Sequence, residues 1–133
     1  MRSNSSFFRT IDANMNRLKE GIRVVEDILR YEYNSPLSKE LKNLRHQVRD
    51  DEYEDIVLAR DVNKDILKKT IPSEEKRKDL KDVIIANLKR AQESARVLEE
   101  LNKFRGKGEK YKKIRYALYA LEKEIISFLK SSI

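Results

Sequence analysis

Cysteine and tryptophan are absent from the 133 residues, and the chain holds only three glycines and two prolines. Without cysteine there can be no disulfide, no thiolate metal site and no cysteine nucleophile. So little Gly and Pro leaves few turn signals for a sheet protein and points to long helices. No apolar run approaches the roughly 18 residues that span a bilayer. The opening MRSNSSFFRTID carries no apolar core of signal-peptide length. A soluble cytoplasmic protein without a membrane partner is expected. Histidine occurs once, at His46, so the Glu-x-x-His pairs of a helical di-metal site cannot be built. There is also no G-x-x-x-x-G-K-[ST], which excludes a Walker-type phosphate loop.

What is plentiful is charge. Charged residues make up 40% of the chain against 39% hydrophobic, enough for one core if the apolar residues are segregated onto faces. The length fits one compact domain over residues 1–133. A net charge of +7 suits nucleic acid, a phosphorylated small molecule or simply a soluble surface. The lysines are interleaved with acids nearly everywhere, which argues against the dense basic stripe of a nucleic-acid binder.

Met15, Leu18, Ile22, Val25 and Leu29 follow a 3-4-3-4 spacing, the apolar seam of a bundle helix. That predicts a first helix from about Thr10 or Asp12 to Tyr33. Asn34-Ser35-Pro36 breaks it, with Ser35 as the next N-cap. A second helix carries Leu37, Leu41, Leu44 and Val48. A short helical piece around Tyr53 to Ala59 and an irregular loop from Arg60 to Pro72 are expected next. A third helix, capped by Ser73, extends to about Phe104. RGKGEK turns the chain, and a fourth helix covers roughly Glu109 to Lys130.

The first and third helices repeat each other. Ala13, Asn14, Arg17, Glu20, Arg23, Val24 and Glu26 recur at an offset of 73 as Ala86, Asn87, Arg90, Glu93, Arg96, Val97 and Glu99. LKNLRHQV also aligns with YKKIRYAL, placing Arg45 on Arg115. A duplicated helix hairpin, about 10–50 and 83–130, therefore predicts an all-α antiparallel bundle of about four main helices.

The repeated positions are mostly polar, which packing alone does not require. On a helical wheel Asn14 and Arg17 share an arc with Gly21, Val24 and Ile28, so Asn14, Arg17, Asn87 and Arg90 are expected to be at least partly buried. A buried arginine must be ion-paired or bind an anion. One reading is a structural network; the other is a pocket whose arginines hold phosphate or carboxylate. Glu20, Arg23 and Glu26, like Glu93, Arg96 and Glu99, can pair along their own helices as surface ladders. The loop adds Arg60, Asp61, Asp65, Glu74 and Arg77, with carboxylates suited to Mg²⁺ and arginines suited to phosphate.

IDANMNRLKEGIRVVEDILRY, LKNLRH, ARDVNKD, PSEEKRKDLKDVIIANLKRAQESARVLEE and IRYALYALEK together resemble a small helical domain of thiamine biosynthesis, found alone or fused in front of thiamine-phosphate synthase. The likeness covers about residues 9 to 124. It implies an ATP- and Mg²⁺-dependent kinase that converts hydroxymethylpyrimidine phosphate to the diphosphate. Two positions depart from the family pattern: Asp65 is followed by Ile66 and Leu67 instead of a D-x-G, and Ser94 follows Glu93. A stand-alone version or an excised piece is expected.

On that resemblance Arg17, Arg23, Arg90 and Arg96 would face the phosphates. Asn14, Asn87, Glu20, Glu93, Arg60 and Arg77 would contact substrate, and Asp61 and Asp65 would hold Mg²⁺. Attack by an already ionised phosphate oxygen needs no strong general base, which suits a chain with one histidine. Two other readings stand beside it. One is a non-catalytic pyrimidine-phosphate-binding accessory domain serving thiamine-phosphate synthase; the other is a helical nucleic-acid or protein interaction module. A helix pair of this charge density can also complete its core across a homodimer.

Overall fold

The computed structural model describes residues 4–69 and 76–131. Among the described residues there are five α-helices and no strand. They are α1 (Asn4–Asp27), α2 (Leu37–His46), α3 (Tyr53–Leu58), α4 (Leu80–Leu101) and α5 (Gly108–Ser131). None is long and apolar enough to cross a membrane. The expected all-α bundle with four main helices is what the chain forms.

The 3-4-3-4 seam of α1 is the core seam. Ile11, Met15, Leu18, Ile22, Val25 and Leu29 are all buried, and Ile84, Leu88, Ala91, Ala95 and Leu98 of α4 face the same core. Each fully buried Leu or Ile contributes about 1.5–3 kcal/mol of transfer free energy. Leu41, Leu44 and Val48 in the first hairpin match Tyr111, Ile114 and Leu118 in the second, and all six are buried. The apolar repeat thus accompanies the polar one.

Helices α1 and α4 run antiparallel. The Phe7 ring lies 5.7 Å from Phe104 just beyond the end of α4, while Gly21 lies against Asn87 and Ala91 near its start. A Cβ on Gly21 would sit 2.9 Å from the Asn87 carbonyl oxygen, so the crossing depends on glycine.

Several boundaries differ from expectation. Helix α1 starts earlier, at Asn4, and passes into a π-helical turn over Ile28–Glu32. Asn34 then ends it with φ 51, a conformation asparagine tolerates, and the Ser35 N–H donates to the Leu29 carbonyl at 2.8 Å. Helix α2 starts at Leu37 with Pro36 at its N-cap, one residue later than expected, and Ser35 Oγ still accepts the Leu37 N–H at 3.3 Å. The third long helix does not run on from Ser73. That residue and Glu74 lie outside the described residues, residues 76–78 are non-helical, and α4 begins after Asp79. Asp79 is extended and its carboxylate accepts the Asp82 N–H at 2.8 Å, capping the start of α4. The turn after α4 is a 3-10 segment over Lys103–Arg105 followed by Gly106 at φ 69, and α5 already starts at Gly108, within RGKGEK.

Candidate functional site

The polar repeat divides into two layers. Glu26 and Glu99 are buried, and neither serves mainly as a rung of a surface ladder. Arg45 donates from Nε and Nη2 to the two oxygens of Glu26 at 2.7 and 3.1 Å. Arg115 repeats the contact on Glu99, with Nε and Nη2 each 2.9 Å from Oε1. Burial would raise the Glu26 carboxyl, but the Arg45 hydrogen bonds and charge outweigh it and hold it below the ordinary range. These two matched pairs tie the first helix of each hairpin, α1 or α4, to the second, α2 or α5.

Asn14 and Asn87 are matched as well. Asn14 Nδ2 donates to the Thr10 carbonyl at 3.0 Å, and Asn87 Nδ2 to the Val83 carbonyl at 2.8 Å. A carbonyl can only accept, so both amides are oriented with nitrogen toward the helix backbone.

Arg23 and Arg96 are exposed, as expected of surface-ladder residues, whereas the expected burial of Arg17 and Arg90 is corrected: both are exposed. Their long side chains leave the apolar arc for solvent, as the wheel position of Cα alone does not tell. Arg23 pairs with Asp27 at 3.3 Å, and Arg96 reaches Glu100 at 2.9 Å and Glu99 at 3.4 Å. Glu20 and Glu93 are exposed too. Arg77, also exposed, donates to the Lys76 carbonyl at 2.9 Å.

One cleft, of about 650 Å³, gathers part of the expected set. Asn14, Arg17, Arg60, Asp61 and Asp65 line it, between the N-terminal half of α1 and the loop after α3. Arg23, Arg90, Arg96, Asn87, Glu20, Glu93 and Arg77 do not. The second copy of the repeat therefore contributes no side chain to this cleft. The sequence supplied no reason to name Arg9, Asp12, Asn16 and Lys68, which also line it.

Asp12 is the organising group. It is 5% exposed, and Arg60 donates to it from Nε and Nη2, both at 2.7 Å. Asn16 Nδ2 adds a contact at 3.4 Å. The Asp12 hydrogen bonds hold the Arg60 guanidinium further into its protonated form, against the opposing effect of desolvation. Arg9 Nη2 reaches the Asp61 carbonyl at 3.4 Å, so α1 grips the loop at two successive residues. Asp61 Oδ1 accepts the N–H groups of Asn63 and Lys64 at 3.1 Å, and Asp65 Oδ1 accepts that of Leu67 at 3.0 Å. Each aspartate thus spends one oxygen on loop shape. Arg17 and Lys68 have no carboxylate partner among the described residues. An acid-rimmed cleft with two uncommitted cations and a forked arginine suits an anionic ligand of small-molecule size.

A second acidic group lies elsewhere. Asp50, Asp51 and Glu52 bring carboxylate oxygens within 4.8 Å of one another. Arg105 and Lys107 already occupy them, with Arg105 Nη1 and Nη2 at 2.9 and 3.0 Å from Asp50. Burial would raise the Asp50 carboxyl, but the Arg105 hydrogen bond leads the opposing effects and brings it down to about 2. This cluster is a clasp between the link after α2 and the turn after α4.

The sequence profile of the ThiD2 family matches residues 9–124, nearly the whole chain. The chain belongs to the ThiD2 family. Among its relatives, the thiamine-phosphate synthase of Synechocystis sp. is 38% identical over 128 residues, covering 93% of this chain and 37% of the relative. That of a Nostoc sp. is 37% identical over 123 residues, 90% of this chain and 35% of the relative. That of Thermosynechococcus vestitus is 36% identical over 121 residues, 88% and 34% respectively. The chain therefore spans just over a third of the length of these relatives. No solved structure matches it. Membership of the ThiD2 family links the chain to thiamine biosynthesis.

Proposed function

We propose that this ThiD2 chain binds hydroxymethylpyrimidine phosphate in the Arg17–Arg60 cleft and serves thiamine-phosphate synthase as an accessory module. The observation that carries the reading is the pairing of an oriented guanidinium, Arg60, with the uncommitted cations Arg17 and Lys68 in one cleft of about 650 Å³. Phosphate is the ligand group that a planar fork and nearby point charges recognise best. Asn14 and Asn16 add amide groups at the same wall for a heteroaromatic ring. The relatives are thiamine-phosphate synthases, which supplies the pathway.

A second reading, phosphoryl transfer from ATP to the substrate's own phosphate, is favoured by Asp61 and Asp65. Both stand in the cleft beside the cations, and each keeps one carboxylate oxygen free of backbone hydrogen bonds. That donor set fits Mg²⁺, which commonly takes one or two carboxylates together with phosphate oxygens. When bound, the ion would neutralise charge on those oxygens. The chain's own contribution would be to hold the acceptor phosphate on Arg60 and Arg17. The terminal phosphoryl of ATP would pass to that phosphate, giving the diphosphate and ADP.

Calorimetry with hydroxymethylpyrimidine phosphate, beside an ADP-release assay with Mg²⁺-ATP, tests both. Binding without turnover supports the accessory module; turnover with the phosphorylated pyrimidine alone supports the kinase. Neither binding nor turnover sinks the two together.

A further inference from the structure

Arg60 and Asp12 are separated by 48 residues of sequence and joined by two hydrogen bonds of 2.7 Å. Asp12 sits on α1 between Ile11 and Met15's turn of the core seam, at 0% and 6% exposure, so its backbone is anchored in the bundle. Arg60 comes from the loop after α3, and its side chain is 41% exposed. A guanidinium has five N–H groups in a fixed plane. Asp12 takes one from Nε and one from Nη2, leaving three in a known orientation.

We infer that Asp12 is a positioning residue, which fixes Arg60 so that its remaining N–H groups form a preset fork for the ligand's phosphate. The inference rests on the phosphate-binding reading of the same cleft and names the residue that sets its selectivity. An unrestrained arginine loses rotamer freedom when it captures a ligand, whereas one already held by a carboxylate on a rigid helix has less to lose. Arg17, in the same cleft and without such a partner, lacks this restraint.

The chemistry gives a test in which two explanations predict opposite signs. If Asp12 acted only through its charge, deleting that charge would make the cleft more positive and strengthen phosphate binding. If it acts by orienting Arg60, deletion weakens binding. Calorimetry would compare wild type, Asp12→Asn, Arg60→Lys, Arg60→Ala and Asp12→Asn/Arg60→Ala, with hydroxymethylpyrimidine phosphate, the unphosphorylated pyrimidine and pyrophosphate as ligands. The expected result is an approximately tenfold or greater loss of affinity for both phosphate ligands in Asp12→Asn, as for losing a charge-assisted contact. Affinity for the unphosphorylated pyrimidine should not change, and Asp12→Asn should cost nothing further once Arg60 is alanine.

Unchanged or tighter phosphate binding in Asp12→Asn overturns the inference, as does the same loss persisting in the Arg60→Ala background. Should Asp12→Asn fail to fold by thermal melting, Asp12→Glu decides. It keeps the charge but moves the carboxylate that orients Arg60, so a tenfold loss upholds the inference and unchanged affinity overturns it, while unchanged affinity in Arg60→Lys overturns it as well. Wild type that binds pyrophosphate in an Asp12-dependent way, but not the pyrimidine phosphate, overturns the proposed substrate and leaves the positioning role standing. Wild type that binds neither phosphate overturns both.

Discussion

Arg45 holds both oxygens of Glu26 through two nitrogens at 2.7 and 3.1 Å, and 73 residues beyond Glu26 one oxygen of Glu99 is held by two nitrogens of Arg115, each at 2.9 Å. Glu26 has a side-chain exposure of 2%, so removing its partner would leave a desolvated carboxylate. Arg45→Met should therefore destabilise the fold by about 3 kcal/mol, the usual scale for breaking a buried pair. Replacing both members, as Glu26→Leu/Arg45→Met, should recover most of that loss. Urea denaturation of the four variants in the cycle measures it. A cost for Arg45→Met that the second substitution fails to relieve would mean that packing by the arginine stem, and not its charge, is what matters.

How far these relationships could be read from sequence differs by kind. The seam Met15, Leu18, Ile22, Val25 and Leu29 follows one helix's own periodicity, and every one of these residues is buried. The alignment of Arg45 with Arg115 was visible because duplication preserves spacing. Its partners were not. Glu26 stands three residues after Arg23, a spacing that suggests a ladder within the helix, and only the packing of α2 on α1 turns it inward. Arg17 and Arg90 show the converse: a wheel places their Cα on a packing arc, but a long cationic side chain can leave it. The Asp12–Arg60 pair, like the choice of one copy of the repeat for the cleft, depends on where the loop after α3 lands. No local pattern carries that information.

The Asp50 clasp gives a pH dependence of definite sign. Its folded carboxyl lies at about 2, below the ordinary 3.8. A depressed carboxyl contributes stability that is fully present above about pH 4 and is lost as pH falls toward 2. The difference corresponds to about 2 kcal/mol. Denaturation midpoints for wild type and Asp50→Asn, taken from pH 6 down to pH 2, should converge as the acid limit is approached. Parallel curves would show that Asp50 does not titrate within that window.

Gly21 inverts the usual rule for glycine in a helix. At an exposed helical site, Gly→Ala stabilises by about 1 kcal/mol. Here the added Cβ meets the Asn87 carbonyl oxygen at 2.9 Å and the Ala91 Cβ at 3.3 Å. Overpacking at a helix crossing typically costs about 1–3 kcal/mol, and against a backbone oxygen that cannot step aside it exceeds the propensity gain. Gly21→Ala should lower the melting temperature by several degrees. A higher melting temperature would show that α1 and α4 can separate at little cost.

Arg17 and Arg90 occupy equivalent positions in the repeat, yet only Arg17 lines the cleft. Both are exposed, so alanine at either should leave stability within about 0.5 kcal/mol of wild type. Affinity for hydroxymethylpyrimidine phosphate should fall by about tenfold or more in Arg17→Ala and stay within about twofold in Arg90→Ala. Equal losses would place a second site on the other copy of the repeat and overturn the single-cleft reading.

Asp61 offers a substitution that separates binding from transfer. Its Oδ1 accepts the N–H groups of Asn63 and Lys64 at 3.1 Å, and an asparagine amide oxygen can accept the same two bonds. Asp61→Asn should therefore keep the loop's shape while removing one of the cleft's negative charges. Removing that charge should leave affinity for the phosphate ligand unchanged or raise it, since the cleft becomes more cationic. A cation-dependent phosphoryl transfer, by contrast, would lose a ligand and fall by at least about tenfold. If Asp61→Asn weakens ligand binding and leaves ADP release intact, Asp61 contacts the substrate itself, and the division of labour between the arginines and the aspartates is wrong.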